Sequence, residues 1–234
     1  MNFLSIFDVI GPNMIGPSSS HTAGAASIGL FVSKMFARPI KKAVFTLYGS
    51  FAQTYQGHGT DRALLGGVLG FETDDPRIRD AFTIAEERGI AYEFIADEKT
   101  ATVHPNTADI LLEDPDGYTL LVRGESIGGG KMQIVRINQI EVAFTGEYST
   151  LICAQRDVPG VITHISSCLS AYNVNIAFMR LFREKKGTTA YTVIESDEWI
   201  PDEILEDIKS SPNIQDLMSV SYTHLRAHET GAYL

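Results

Sequence analysis

Apolar and polar positions along this chain switch between the period of a helix and that of a strand, and the spacing predicts an α+β protein. Asn2 to Ile10 is short and apolar-rich, and Gly11-Pro-Asn and Gly16-Pro17 break it. After the polar cluster Ser18-Ser-Ser-His-Thr22, the small-residue run from Ala23 to Phe36 reads as a buried helix packed closely on a neighbour, with the cluster near its N-terminal end. Lys42 to Tyr48 is β-branched and aromatic enough for a strand. Thr60 to Leu69 and Arg77 to Arg88 read as helices, the second closed by Gly89 as a C-cap. Ala91 to Ile95 and Thr107 to Leu112 read as strands. Asp114-Pro-Asp-Gly117 is a turn signal, with Tyr118 to Arg123 as the return strand of a hairpin. A further strand-like run, Met132 to Phe144, follows Ser126-Ile-Gly-Gly-Gly130. Strands interspersed with helices make this a mixed α/β domain over 1–146.

Beyond the boundary at Gly146-Glu-Tyr-Ser149 the pattern tightens. Thr150 to Ala154 is a strand and Asp157-Val-Pro-Gly160 stands at a helix start. Ile162, Ile165, Ser166 and Leu169 then recur at helical spacing. Val174 to Phe182 and Thr188 to Glu195 read as strands joined by the charged turn Arg183-Glu-Lys-Lys-Gly187. Pro201-Asp-Glu opens a second helix, with Pro201 at N1, and Asn213 to Ser219 is a last strand. The order βαββαβ over 149–219 is ferredoxin-like. With its Asp157-Val-Pro-Gly160 junction and Asn173-Val-Asn-Ile176 stretch it resembles an ACT domain. That resemblance implies an amino-acid effector near Val158, Pro159, Gly160 and Val161 and near Asn173, Asn175 and Ile176, often across a paired interface.

From Val220 the chain has no apolar period, cap or turn logic continuing the preceding strand, and it resembles the translation of a sequencing-library adapter. The segment 220–234 is therefore set aside as a non-native tail.

Composition narrows the function. The chain has 234 residues, 44% of them hydrophobic, which excludes wholesale disorder. Its formal charge, 19 − 29 = −10, argues against nucleic acid or an anionic membrane as the main partner. No apolar run approaches the ~20 residues of a membrane span, and the N-terminus has no basic region or cleavage site of a signal peptide. Cys153 and Cys168 make no disulfide framework, which suits a reducing, cytoplasmic setting. Two thiols also fall short of the four that usually hold an iron–sulfur cluster.

Four stretches carry candidate chemistry. In Gly16-Pro-Ser-Ser-Ser-His-Thr22, three hydroxyls, an imidazole and a fourth hydroxyl stand at a helix N-terminus, where orphan N–H groups and the dipole favour an anion. A single serine there would be a cap; the whole cluster with His21 reads as a substrate site. In the stretch from Gly49 to Asp61, His58 lies between two glycines that let backbone approach a ligand closely. Thr60 and Asp61 read as caps of the next helix or as site residues. In His104-Pro-Asn-Thr107, Asn106 offers donor and acceptor together, although the stretch alone is a turn. Gly128, Gly129 and Gly130 form an anion-binding nest of amides or a hairpin connection. His164 reads as ordinary surface or interface.

These stretches in this order, with the opening Phe3-Leu-Ser-Ile-Phe-Asp-Val-Ile-Gly-Pro12, resemble the β subunits of iron–sulfur-dependent L-serine dehydratases. The resemblance covers essentially everything before Val220. It implies conversion of L-serine to pyruvate and ammonia, serine catabolism feeding gluconeogenesis, and a partner α subunit whose cysteines carry a [4Fe-4S] cluster. No metal ligand falls to this chain, and an oligomer is expected. The resemblance assigns the substrate anion to Ser18, Ser19, Ser20 and Thr22, aided by the helix N-terminus, and places Thr60, Asp61, His104, Gly128, Gly129 and Gly130 among the substrate-binding residues. Acid–base or leaving-group assistance falls to His21 and His58, and orientation to Asn106 with His104. The base that removes the α-proton is left open. A similar domain beside an ACT domain also occurs as a regulatory attachment in some phosphoglycerate dehydrogenases, so a sensor without chemistry is the rival reading.

Overall fold

In the computed structural model, which describes residues 14–183 and 185–220, the chain divides into two units, Met1–Thr145 and Gly146–Leu234. The apolar stretch 2–10, Glu184 of the charged turn and residues 221–234 of the tail lie outside the described residues, whereas Val220, set aside with that tail, is buried and pairs with Thr150 in the last strand.

The first unit begins with a π-helical turn, Ser19–Ala23, running into α1 (Gly24–Phe36). Then come β1 (Lys42–Tyr48), α2 (Gly49–His58) and α3 (Thr60–Val68). A 3-10 turn, Pro76–Asp80, leads to α4 (Ala81–Glu87). Strands β2 (Ala91–Asp97), β3 (Asn106–Glu113), β4 (Thr119–Gly128), β5 (Lys131–Ile137) and β6 (Ile140–Phe144) follow. They form one sheet in the order β2-β1-β3-β4-β5-β6, with β1 and β2 parallel and the other pairs antiparallel.

Side chains of β1 and β4 alternate between the two faces of the sheet. Phe45, Leu47, Ala108, Ile110 and Val122 are fully buried on the face that carries the helices. Helix α1 approaches β4 so closely that a Cβ on Gly124 would lie 2.5 Å from Ile28 Cγ2. Where α1 meets α3, a Cβ on Gly67 would lie 2.2 Å from the Ala26 carbonyl oxygen and one on Gly29 2.3 Å from that of Leu64. Backbone touches backbone there, which explains the small residues of Ala23–Gly29. The opposite face holds an ion network. Asp109 accepts hydrogen bonds from Arg123 Nε and Nη2 at 2.6 and 2.7 Å, from Arg136 Nη2 at 2.7 Å and from the Tyr48 hydroxyl at 2.9 Å.

Three expectations need correction here. The run from Met132 to Phe144 is two strands, because Asn138 adopts a left-handed φ of 51° and turns the chain back after Ile137. Arg77 to Arg88 is helical in two parts: the Asp75 carboxylate accepts from the Arg77 N–H and opens a 3-10 turn before α4. Asp61 and Thr60 do not cap α3; Gly59, at φ 70°, holds the cap position and no side-chain bond closes it.

The second unit is β7 (Ser149–Arg156), α5 (Val161–Ala171), β8 (Phe178–Arg183), β9 (Thr189–Ser196), α6 (Asp202–Lys209) and β10 (Ile214–Val220). Its sheet order, β10-β7-β9-β8, and all-antiparallel pairing make it the ferredoxin-like, ACT-like fold that the element order predicts. Leu151, Cys153, Ile165, Leu169, Ile194, Ile204 and Ile208 form the core between sheet and helices. Strand β8 starts later than expected: Asn173 turns the chain at φ 56°, and Val174 is buried before pairing begins at Phe178. Pro201 is the N-cap of α6, in an extended conformation, instead of its N1 residue, while Asp202 and Glu203 occupy the first turn as expected. His164 is a strut between the two helices, its Nε2 3.0 Å from the Ile208 carbonyl oxygen of α6. Among the described residues no helix is long and apolar enough to cross a membrane.

Candidate active site

The π-helical turn before α1 gathers the serine cluster around one imidazole. Ser18 is its N-cap, and its hydroxyl accepts from the His21 N–H at 3.2 Å. Ser20 Oγ lies 3.1 Å from His21 Nδ1, with Ser18 Oγ at 3.4 Å from the same nitrogen. Thr22 is turned inward: its hydroxyl donates to the Ser18 carbonyl and accepts from the Ser18 N–H. Gly16, at φ 135°, makes room for it, since a Cβ would sit 2.4 Å from Thr22 Cγ2. Ser19 is half-buried, and its carbonyl accepts from the Gly24 N–H.

Helix α2 brings the second imidazole. The His21 and His58 ring centroids are 4.9 Å apart, and His21 also stands edge-on to Phe51 at 5.3 Å. His21 Nε2 lies 3.0 Å from Ser50 Oγ, and the Ser50 N–H donates to the Pro105 carbonyl at 2.8 Å. The His104–Thr107 stretch is thereby attached to the same site. Within it the Asn106 N–H donates to His104 Nδ1 at 3.2 Å, which places the neutral ring's own proton on Nε2.

The remaining predicted residues lie on α3 and at the β4–β5 connection. Thr60 is fully buried, and Asp61, 8% exposed, accepts from the Arg62 N–H at 2.8 Å. Gly128, Gly129 and Gly130 make the β4–β5 hairpin connection with φ of 95°, 62° and 80°. The sign never alternates along these three, whereas an αR-αL nest of amides requires alternation. The Gly130 carbonyl accepts from Ser27 Oγ of α1 at 3.1 Å. Next to it, Ser126 sits directly under α1, where a Cβ on Gly24 would come within 2.0 Å of its hydroxyl.

Among the described residues of this unit five buried polar atoms have no protein partner: Arg136 Nε beside the Asp109 network, and His58 Nδ1, Thr60 Oγ1, Asn106 Oδ1 and Ser126 Oγ on the elements that carry the candidate site. Such groups cost about 1–3 kcal/mol each when left unpaired, so the gathering of the last four on those elements marks a place for a polar ligand or water. A cavity of about 370 Å³ opens beside His58, lined by Gln53–His58. Burial, then the neighbouring His58 charge, holds His21 below the usual imidazole value, with a backbone hydrogen bond at Ser50 working the other way. Burial raises Asp61 above the ordinary carboxylate value against the pull of Arg62. Burial likewise raises Glu125, opposed by His104 and Arg123. His21 is thus a neutral imidazole near pH 7, able to take up a proton.

In the second unit, Val158, Pro159 and Gly160 are exposed at the β7–α5 junction, with Gly160 as N-cap at φ 90° and Val161 buried as the first residue of α5. A groove of about 410 Å³ lies along the later turns of α5 and the segment that follows it, lined by Ser166, Ser170, Asn173, Val174, Asn175 and Ile176. The predicted effector residues therefore divide: Asn173, Asn175 and Ile176 face the groove, and the junction residues are not among its walls. Ser50, Ser126, Ser166 and Ser170 carried no role in the sequence reading, although Ser50 and Ser126 stand inside the motifs it singled out.

A mixed α/β domain with a hydroxyl- and histidine-lined site, followed by a ferredoxin-like ACT-type unit, defines the class. Residues 5–136 match the family described as serine dehydratase beta chain. The chain is 42% identical over 221 residues to the probable L-serine dehydratase, beta chain, of Bacillus subtilis, covering 94% of this chain and 100% of that one. It is 41% identical over 211 residues to the L-serine dehydratase, beta chain, of Peptoniphilus asaccharolyticus, covering 90% and 93% of the two chains. A D-3-phosphoglycerate dehydrogenase of Bacillus subtilis is 27% identical over 203 residues, 86% of this chain and 37% of the enzyme. The chain belongs to the serine dehydratase beta-chain family.

Proposed function

We propose that this chain is the β subunit of a cytoplasmic L-serine ammonia-lyase, releasing pyruvate and ammonia in serine catabolism that feeds gluconeogenesis. The observation that carries the reading is the His21–His58 ring pair, with His21 held by the hydroxyls of Ser18, Ser20 and Ser50 at the start of α1 and α2. The serine hydroxyls, with the helix start behind them, bind the substrate carboxylate. Neutral His21 takes up or returns a proton, and His58, with Nδ1 free of protein partners, assists departure of the hydroxyl. Asn106 directs its unpartnered Oδ1 to the substrate ammonium or to water.

A [4Fe-4S] cluster on a partner α subunit supplies the Lewis acid for the leaving hydroxyl. This chain's thiols suit that division of labour. Cys153 is buried in the second unit's core, with its thiol pushed far up by burial, and Cys168 lies on α5. The groove at Asn173–Ile176 takes an amino-acid effector and biases an oligomeric assembly.

The likeness to a phosphoglycerate dehydrogenase favours a second reading, an effector sensor without chemistry. Anaerobic co-expression with the α subunit, followed by pyruvate release from L-serine, separates the two. Activity that needs both chains and vanishes in His21→Ala and His58→Ala with the cluster intact supports the lyase. A cluster-loaded complex that binds serine and releases no pyruvate establishes the sensor.

A further inference from the structure

Both nitrogens of the His21 ring are held by hydroxyls. On one edge stands Ser20, 3.1 Å from Nδ1; on the other stands Ser50, 3.0 Å from Nε2. A hydroxyl donates or accepts by rotating its hydrogen, so such a ring can change its protonation state without losing either partner. Ser50 is itself fixed at three points. Its N–H donates to the Pro105 carbonyl at 2.8 Å, its own carbonyl accepts from Thr54 Oγ1 at 2.8 Å, and Gly49 before it adopts φ 54°. The chain approaches Pro105 so closely there that a Cβ on Gly49 would sit 2.6 Å from the Pro105 oxygen. With its main chain committed to β3's entry and to α2, the Ser50 side chain is left facing His21.

We infer that Ser50 is a positioning residue for His21: it fixes the direction of Nε2, sets the ring's tautomer and ties the imidazole to the His104–Asn106 segment. This rests on the reading that His21 moves a proton. The serine clusters at residue 50 and at 18–20 are then two halves of one clamp, assembled from the first turns of two helices. Without the Ser50 hydroxyl, Nε2 loses its hydroxyl partner and is left with the Ser50 backbone contact, while Nδ1 keeps Ser20. The ring then turns more freely, and the proton redistributes between its nitrogens.

Two measurements test this on Ser50→Ala and Ser50→Thr. On the full chain, long-range proton–nitrogen NMR of the histidine rings, assigned with His21→Gln, reports the tautomer and titration of His21. On the complex with the α subunit, the pH profile of pyruvate release reports its use. Ser50→Ala is expected to change the His21 tautomer ratio and titration midpoint. It is also expected to lower kcat about three- to tenfold, the rate equivalent of one neutral hydrogen bond, with a smaller change in KM. Ser50→Thr, which keeps the hydroxyl, restores both. Should Ser50→Ala not fold, Ser50→Cys, of similar size and with a weak donor, carries the same comparison. His21 ring signals that are the same in the parent and in the variants lacking the hydroxyl overturn the inference. So does a loss shared equally by Ser50→Thr. A parent complex that releases no pyruvate overturns the lyase reading instead, and the ring titration still decides the role of Ser50.

Discussion

His21 and His58 face each other with ring centroids 4.9 Å apart and planes inclined by 49°. Two imidazoles at that separation do not both carry a proton cheaply, and burial first, then the neighbouring His58 charge, pushes His21 down. Because its folded value lies below the unfolded 6.5, the fold binds this proton less well than the unfolded chain does. The associated stability is present above pH 6.5 and is lost as pH falls from there through the folded value. His58→Gln removes the neighbouring charge. The acid limb set by His21 is expected to move upward toward 6.5, and the loss of stability on acidification to shrink. Thermal melts of the full chain across pH measure the second effect, and binding of L-serine to the complex across pH reports the first. A midpoint that does not move rejects the coupling.

Glycines on the helices should respond in opposite directions. Gly67→Ala places a methyl group 2.2 Å from the Ala26 carbonyl and 2.6 Å from the Leu30 nitrogen, so α1 and α3 must separate. A loss of about 1–3 kcal/mol is expected, as for other overpacked interiors. Gly57→Ala, in α2 with nothing within 4 Å of the added carbon, should instead gain about 0.5–1 kcal/mol by restricting the unfolded chain. Urea unfolding of the two variants gives both signs.

Asp109→Ala removes the carboxylate shared by two guanidinium groups that are only 21% and 29% exposed. Leaving those charges without their partner should cost about 3 kcal/mol. Asp109→Asn, which keeps an acceptor, should cost less. The midpoint of chemical unfolding orders the three proteins.

In the second unit, His164→Ala deletes the bond from Nε2 to the Ile208 carbonyl and leaves that oxygen on α6 to water. A loss of about 1 kcal/mol is expected, read from the thermal unfolding of the full chain. His164→Gln, which can still donate across the helix pair, should recover part of it.

The legible parts of the fold are those where a single side-chain period decides the structure. β1 occupies Lys42–Tyr48, as its β-branched and aromatic residues predict, and α5 forms where the helical spacing places it, although of Ile162, Ile165, Ser166 and Leu169 only Ile165 and Leu169 are buried, with Val161 beside them. Helix α2 was not legible because Gly49 and Gly57 and a polar outer face erase its period; its stability comes from Phe51 and Ala52 packed inward. The β5–β6 turn was missed because Asn138, and not a glycine, takes the left-handed conformation. In the site, local clusters were readable as clusters, whereas their pairing was not. The bond between His21 and Ser50 spans 29 positions, and no periodicity encodes which serine of which helix start will meet that ring. Gly128–Gly130, by contrast, close a local hairpin between the adjacent strands β4 and β5.

The Asp109 network sits on the face of β3 opposite the one that Asn106 and Ala108 present toward the helices. Sliding β3 by one position would carry its carboxylate into the apolar layer beneath α1 and strand Arg123 and Arg136 without a counter-charge. Asn106 would be turned out of the site in the same movement. The ion cluster therefore acts as a proofreader of strand alignment: a chain that has closed it has also put Asn106 on the side where substrate would be met, before any ligand arrives to select for it.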